Sequence, residues 1–173
     1  MAVPCTDGAA DACAHGVAND RTIPCADKAA DARADGVADI KTNHGAVVLA
    51  DIDHFKSFNE RHGHDCGDLV LKQVASALTR TDGIAVRWGG EEFLLFLTNQ
   101  SEDEAAQAID HLRQQIKSLE TIYEGRRLSV TMTFGVTTHR GFKPVDTLVK
   151  EADDRLRAGK QAGKDRIVTS IHH

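Results

Sequence analysis

Two short segments of the chain carry acidic residues at spacings that suggest phosphate chemistry. In the first, Asp51 and Asp53 stand two residues apart at the end of the apolar run AVVLADI. Side chains two residues apart on a strand point to the same face, where like charges repel. Mg²⁺ accepts one or two carboxylates together with phosphate oxygens. The pair therefore predicts either a magnesium site at a strand end or two solvated carboxylates.

The second segment is RWGGEEF, residues 87–93. Gly89 and Gly90 lack a Cβ atom, so a ligand can approach their backbone closely. Glu91 and Glu92 follow at once, and an apolar strand begins at Phe93. A second acidic group beside the first segment would complete a cation site that faces phosphates. The alternative is an ordinary hairpin with exposed glutamates.

The elements that must position these residues begin near residue 44. AVVLADI predicts a buried strand, and a hairpin with a two-residue Gly-Gly turn is predicted to join VRW to EEFLLFL. LSVTMTFGVTT alternates and predicts a further strand, and a short final strand is expected at 166–169. Helices are predicted over 66–80, over 102–119 with a capping box at its start, and over 144–159. This order predicts an α/β or α+β architecture.

Composition limits the classes of function. The 173 residues suffice for one domain of ordinary size with a tail. The chain has 21 Lys+Arg against 26 Asp+Glu and a formal charge of -5, which argues against broad nucleic-acid binding. No apolar run approaches the roughly 18 residues of a membrane span, and no secretory signal is visible. The four cysteines form no C-x-x-C pair, so we expect a cytoplasmic protein.

The first part of the chain has a different composition. Residues 3–22 and 23–42 agree at 12 of 20 positions, which indicates an internal duplication rich in Ala and Asp. We predict a flexible arm over 1–43 with a short helix near 27–33, a folded domain over 44–170 and a tail over 171–173. The alternative for the arm is a metal site built from Cys5, Cys13, His15 and Cys25.

Taken together, DIDHFKSFNERHGHDCGD and RWGGEEF resemble the GGDEF family, the diguanylate cyclases. The order agrees over residues 46–169, including the N-x(4)-H-x(3)-D spacing of Asn59, His64 and Asp68 and the late Lys160 and Lys164. The resemblance implies that 44–170 is a GGDEF catalytic domain. Its fold would be palm-like, with a central, mostly antiparallel sheet flanked by helices, as in nucleotidyl cyclases and polymerase palms.

The resemblance also implies an activity. Family members condense two GTP molecules into cyclic di-GMP with release of two pyrophosphates, using Mg²⁺ (or Mn²⁺) and an active site shared across a homodimer. GTP and cyclic di-GMP are then the expected partners, with no nucleic acid and no membrane span in this chain. One alternative is a catalytically weak GGDEF domain that binds GTP or cyclic di-GMP as a regulatory module. Another is an interaction domain that binds no nucleotide.

Roles for single residues follow from the same resemblance. Asp51 and the carbonyl of Ile52 would bind the metal, and Glu91 would be both a metal ligand and the acceptor of the 3′-hydroxyl proton. Glu92 would support this catalytic site. The expected contacts with the phosphates are Gly89 and Gly90, Phe55 and Lys56 through main-chain donors, and Lys160 and Lys164 at the outer phosphates. The expected contacts with the guanine edge are Asn59 and Asp68, with His64 in the same element.

The sequence departs from the family pattern in three places. The family's D-x-L-T-G-L-x-N-R-R stretch is missing, and the Ala/Asp repeats occupy its place. The inhibitory R-x-x-D motif is degenerate, because Gly83 stands where the Asp belongs after Arg80 and Asp82 comes one residue early. We therefore predict weakened feedback by cyclic di-GMP. In the late element Lys164 replaces the usual Arg of G-R-N, which predicts somewhat weaker GTP binding.

Overall fold

The computed structural model describes residues 44–170, which form seven strands and four helices. The strands are β1 (His44–Ile52), β2 (Gly83–Arg87), β3 (Glu92–Thr98), β4 (Thr121–Tyr123), β5 (Arg126–Leu128), β6 (Met132–Arg140) and β7 (Ile167–Val168). The helices are α1 (Phe55–His62), α2 (His64–Leu78), α3 (Glu102–Ser118) and α4 (Val145–Gln161). The predictions for the arm, including its helix near 27–33 and the cysteine metal site, lie outside the described residues.

Five of these strands form one sheet in the order β2-β3-β1-β6-β7, and β4 and β5 form a separate pair. Every pairing in the large sheet is antiparallel except the short parallel contact between β6 and β7. β1 lies at the centre and pairs with β3 on one side and β6 on the other. The predicted sheet flanked by helices is therefore confirmed.

Both faces of β1 are covered, which explains why its sequence is almost continuously apolar. One face, with Val48 and Ile52, packs in a cluster with buried side chains of α2 and α3. The opposite face, with Val47 and Leu49, packs against Leu148, Ala152 and Leu156 of α4. By strand alternation Asp51 shares the α4 face with Val47 and Leu49. The fold thus directs this carboxylate toward the end of α4.

Capping side chains and a glycine set the helix boundaries at α3 and between α1 and α2. Ser101 caps α3 as predicted: its Oγ accepts from the amide of Glu104 at 3.3 Å, and its own amide donates to Glu104 Oε2 at 2.8 Å. α1 and α2 are separated by Gly63, whose φ of +86° favours glycine. Among the helices of residues 44–170, none combines the length and the apolar character needed to cross a membrane.

The structure differs from the predicted elements in three respects. Neither the separate helix α1 nor the β4-β5 hairpin was predicted. The hairpin between β2 and β3 has a four-residue loop over 88–91 in place of the predicted two-residue turn, because β2 ends at Arg87 and β3 begins at Glu92. LSVTMTFGVTT is divided between β5 and β6, because Thr131 turns out of the ladder and its carbonyl accepts from the amide of Asp53 at 2.8 Å.

Close packing of α4 on the sheet yields a stability prediction. A methyl group at Gly135 of β6 would overlap the carbonyl oxygen of Ala152 and the amide of Leu156. Gly135→Ala should therefore lower the free energy of unfolding by about 3 kcal/mol, measured by urea denaturation. At Gly90 an added methyl group meets nothing within 4 Å, so Gly90→Ala should change stability by less than about 0.5 kcal/mol. Equal stability of the two variants would contradict the packing described here.

Candidate active site

The two acidic segments meet at one end of the sheet. Asp51, near the end of β1, is the direct register partner of Glu92, the first residue of β3. The amide of Ile52 donates to the carbonyl oxygen of Glu91 at 3.2 Å, which fixes the loop residue beside the same strand end. Directly opposed side chains on antiparallel strands lie roughly 5 Å apart at Cβ. The sheet therefore brings Asp51, Glu91 and Glu92 into one acidic cluster.

A lysine from α4 closes this cluster. Lys160 lies in the last turn of α4, and its Nζ is 2.7 Å from Oδ2 of Asp51. The Asp51 side chain is only 8% exposed, so its negative charge needs a partner, and Lys160, at 34% exposure, provides it. Lys160 was expected at the outer phosphates. Its pairing with Asp51 is a contact that sequence reasoning missed.

The electrostatics of the cluster are dominated by burial and like charge. Burial raises the pKa of Asp51, and the charge of Asp53 adds to this, while the hydrogen bond and charge of Lys160 oppose it. Burial also raises the pKa of Glu91 and of Glu92, and the charge of Asp51 raises both further. Lys160, with a smaller effect of Lys164 on Asp51, thus faces three carboxylates whose ionised forms are all disfavoured.

The donor set fits a hard divalent cation. The three side chains offer only carboxylate oxygens, which Mg²⁺ prefers, and their mutual repulsion would be relieved by a cation. No group of three His, Cys, Asp or Glu side chains within residues 44–170 is arranged to hold a metal ion alone. A site with two carboxylates, of the kind that Mg²⁺ shares with phosphate oxygens, is compatible with Asp51 and Glu91.

The glycine turn is held in shape by its neighbours. The amides of Trp88 and Gly89 both donate to the carbonyl of Glu92, at 2.8 and 3.2 Å. Arg87 donates from Nε to the carbonyl of Gly89 at 3.2 Å and from Nη2 to that of Gly90 at 2.6 Å. Its guanidinium therefore binds the turn from within the same segment. Sequence reasoning missed Arg87, and nothing in the spacing of the motif indicated this role.

Asp53 has a different role from Asp51. Its carboxylate accepts from the hydroxyls of Thr131 and Thr133, each at 2.7 Å, and from the amide of Asp165 at 3.0 Å. The residue is 5% exposed, so it is not a solvated carboxylate. Asp53 lies just beyond β1, which ends at Ile52, and it bonds to Thr133, the register partner of Asp51. The two carboxylates therefore lie on the same side of the sheet, but Asp53 is bonded within the protein whereas Asp51 belongs to the acidic cluster.

Two of the residues expected at the guanine lie on the helices α1 and α2, which contact each other. Asn59 on α1 packs against Gly67 of α2, where a Cβ atom would overlap its amide oxygen, and Asp68 follows Gly67 directly. Oδ1 of Asn59 is buried and has no hydrogen-bond partner among the described residues. Buried polar atoms are normally bonded, so this orphan acceptor suits a ligand that donates. His64 is exposed at the start of α2.

The start of α1 offers main-chain donors. His54 precedes the helix with a left-handed φ of +58°, and no side chain caps the helix. The first amides, including those of Phe55 and Lys56, therefore have no helical acceptor and can serve an anion. The Phe55 side chain is buried in the core and that of Lys56 is exposed, in agreement with a role for the backbone.

The degenerate inhibitory motif lies at the start of β2. Arg80 and Asp82 are exposed, and Gly83 is the first residue of the strand. A Cβ atom at Gly83 would overlap the carbonyl oxygen of Phe96 on β3. The fourth position of the motif thus has no room for an aspartate unless the backbone shifts.

Comparison with known proteins identifies the class that this fold and site define. A family model described as "Diguanylate cyclase, GGDEF domain" matches residues 27–166. The chain belongs to this family. Among the chain's relatives, Diguanylate cyclase A of Treponema denticola is 33% identical over 129 residues, which are 72% of this chain and 35% of that protein. Diguanylate cyclase DgcP of Pseudomonas aeruginosa is 38% identical over 129 residues, 71% of this chain and 19% of that protein.

A solved structure agrees with this assignment. The crystal structure of the GGDEF domain of DgcB from Caulobacter crescentus in complex with c-di-GMP superposes with a TM-score of 0.71 at 25% identity. The superposition covers 90% of this chain and 97% of that chain. The chain spans much less than half of the two curated relatives, at 35% and 19% of their lengths. The family and the fold are therefore shown for the domain that is common to all of them.

Replacing the Glu91 carboxylate by a neutral amide should stabilise the folded protein, and the size of this effect should depend on pH. The raised pKa of Glu91 means that the folded protein favours its neutral form, so stability is lost as the pH rises through that pKa. Without metal, Glu91→Gln should raise the melting temperature by about 2 °C at pH 8. The gain should vanish below the ordinary carboxyl pKa, where Glu91 is neutral in both states.

The measurement is thermal denaturation in EDTA across pH, with Glu60→Gln on an exposed site of α1 as the control. The control should show no gain at pH 8. A fall in the melting temperature of Glu91→Gln at pH 8 would contradict the proposed repulsion.

Proposed function

We propose that this domain is a diguanylate cyclase that condenses two GTP molecules into cyclic di-GMP and two pyrophosphates. The observation that carries the proposal is the convergence of Asp51, Glu91 and Glu92 beside the Gly89–Gly90 turn. Phosphoryl transfer requires chiefly positioning and neutralisation of charge. A partly buried acidic cluster that fits a divalent cation, next to a turn that is open at Gly90, supports that chemistry. Family membership supports cyclic di-GMP synthesis in general.

The reaction assigns a role to each group. In each of two steps, the 3′-oxygen of one nucleotide forms a bond to the α-phosphorus of the other, and the bond from that phosphorus to the bridging oxygen of pyrophosphate breaks. Glu91, whose pKa is raised by burial and by Asp51, is suited to accept the 3′-hydroxyl proton. The amides at the start of α1 and the ammonium of Lys164 would bind the outer phosphates. Lys160 could join them once a metal neutralises Asp51.

The metal would be held by Asp51, the carbonyl of Ile52 and Glu91, with Glu92 supporting the cluster. GGDEF diguanylate cyclases generally use divalent metal ions, and we propose Mg²⁺ (or Mn²⁺). When bound, such an ion supplies positive charge to the triphosphate. Because one nucleotide must attack another, each protomer of a homodimer would hold one GTP.

Selectivity for guanine would come from the α1–α2 pair. Asp68 can accept from the guanine N1–H and N2–H groups, and the orphan Oδ1 of Asn59 can accept from the same edge. Adenine presents no such pair of donors and would leave both acceptors unpaired. ATP should therefore be a poor substrate.

A turnover assay tests the proposal. Protein incubated with GTP and Mg²⁺ should produce cyclic di-GMP, and Glu91→Ala should reduce the rate at least about 100-fold, because it removes both a metal ligand and the proton acceptor. Specific activity should rise with protein concentration if the site is shared between protomers.

Lys150→Ala, an exposed change on α4 away from the acidic cluster, is the control and should leave the rate unchanged. Binding of GTP without turnover would favour the alternative of a regulatory GGDEF module. If no guanine nucleotide raises the melting temperature, the proposal fails.

Product feedback provides a separate prediction. Because Gly83 replaces the acidic residue of the inhibitory motif and its surroundings exclude a side chain, cyclic di-GMP should bind weakly there. Initial rates should be unchanged when cyclic di-GMP is added at low micromolar concentration. Strong inhibition in that range would show that Arg80 and Asp82 suffice for feedback.

A further inference from the structure

The loop after α4 has an unfavourable backbone at the point where it approaches the site. Gly163, Lys164 and Asp165 are all left-handed, with φ values of +114°, +63° and +44°. Glycine accepts this region, but residues with a side chain are strained in it and require support from their surroundings. Lys164 is an expected phosphate ligand, so whatever supports this loop also determines where its ammonium lies.

The support comes from α3. Oδ1 of Asp165 accepts from Nη1 of Arg113 at 2.6 Å, and Oδ2 accepts from Nζ of Lys117 at 2.7 Å. The same Nη1 donates to the carbonyl oxygen of Asp165 at 3.2 Å. Asp110 holds Arg113 from the other side, with Nε donating to Oδ1 at 2.9 Å. We call Asp110, Arg113, Lys117 and Asp165 the α3 clamp.

The Arg113–Asp165 pair at the centre of the α3 clamp is more sheltered than an ordinary surface ion pair, whereas the outer members Lys117 and Asp110 are 57% and 45% exposed. The side chains of Arg113 and Asp165 are 18% and 25% exposed, whereas those of the Arg157–Asp153 pair on α4 are 67% and 44% exposed. Partial burial would raise the pKa of Asp165, but the hydrogen bonds from Lys117 and Arg113 outweigh it and hold that pKa below its usual value. Sheltered, charge-assisted bonds can hold a strained loop better than exposed ones.

The loop is also attached to the site at two points. The amide of Asp165 donates to Oδ2 of Asp53 at 3.0 Å, two residues after Asp51. The amide of Lys164 donates to the carbonyl of Gly159 at 3.1 Å, next to Lys160. The charge of Lys164 is close enough to lower the pKa of Asp51, against the larger effect of burial. The loop thus joins the clamp to Asp53 and to the end of α4 that carries Lys160, both of which adjoin the acidic cluster.

We propose that Asp165 is a positioning residue: through the α3 clamp it fixes the left-handed loop so that the ammonium of Lys164 faces the nucleotide phosphates. This inference rests on the proposed function, because it requires a phosphate ligand at the acidic cluster. A preorganised loop loses less conformational freedom when the ligand binds, so the clamp acts on affinity. It should affect nucleotide binding more than the chemical step.

The test measures nucleotide affinity by calorimetry, with Mg²⁺, for GTP and for GMP. Asp165→Ala should weaken GTP binding about tenfold and GMP binding less than about twofold, because GMP lacks the outer phosphates. The value of kcat at saturating GTP should change less than about twofold. Asp165→Asn keeps an acceptor and tolerates a left-handed backbone, so it should retain most of the GTP affinity.

A double-mutant cycle tests whether the effect passes through the clamp. Arg113→Met should reproduce the selective loss of GTP affinity, and the double variant Arg113→Met/Asp165→Ala should lose no more than either single variant. Arg157→Ala removes the exposed ion pair on α4 and is the matched control, with GTP and GMP binding unchanged. Melting temperatures recorded for each variant separate loss of folding from loss of positioning.

The outcomes distinguish this inference from the function on which it rests. Selective weakening of GTP binding with retained kcat supports a positioning role. Unchanged GTP affinity in Asp165→Ala, or an equal loss for GTP and GMP, overturns that role while the proposed function stands. If the unmodified protein binds no guanine nucleotide, the proposed function fails and the positioning role falls with it.

Discussion

A buried carboxylate at the end of the central strand is the constraint on which the rest of the site depends. Asp51 lies on the α4 face of β1, directly opposite Glu92, and its charge is compensated chiefly by the ammonium of Lys160. The packing that removes Val47 and Leu49 from water also removes Asp51 from it. A fold that concentrates negative charge in this way sacrifices stability, which is common where a site must bind a cation or stabilise a reaction.

Asp51 and Asp53 are two residues apart and of the same type, but they have different roles. Asp51 belongs to the acidic cluster, whereas Asp53 holds Thr131 and the start of β6 at Thr133, and holds the loop after α4 through the amide of Asp165. Through that loop, α3 reaches the site by way of the α3 clamp. Under the proposed function, the position of Lys164 therefore depends on contacts with elements far away in sequence, and substitutions in α3 are expected to influence nucleotide binding.

The sequence predicted the parts of the structure that local patterns encode. The apolar run before Asp51 predicted β1, the Ser101–Glu104 spacing predicted the capping box of α3, and the two acidic motifs predicted a shared site that the sheet register now brings together. The β4-β5 hairpin was not predicted because its strands are only three residues long. Gly125, which with Glu124 forms the left-handed turn between them, is a residue type typical of hairpin turns.

Long-range contacts could not be predicted in the same way. The ion pair of Lys160 with Asp51 and the bonds of Arg113 and Lys117 to Asp165 join residues whose separation in sequence carries no periodic pattern. The roles of Asp51 and Asp53 could not be separated either, because strand alternation predicts one face for both and does not reveal their different hydrogen-bond partners. Such details depend on how α4 and its following loop pack on the sheet.

The most direct measurement is the affinity of GTP with excess Mg²⁺ and with EDTA, in the unmodified protein and in Asp51→Asn. If the acidic cluster holds a divalent cation against the triphosphate, Mg²⁺ should tighten GTP binding at least about tenfold in the unmodified protein, and this gain should be lost in Asp51→Asn. Equal GTP affinity with and without Mg²⁺, or a gain that persists in Asp51→Asn, would contradict the account.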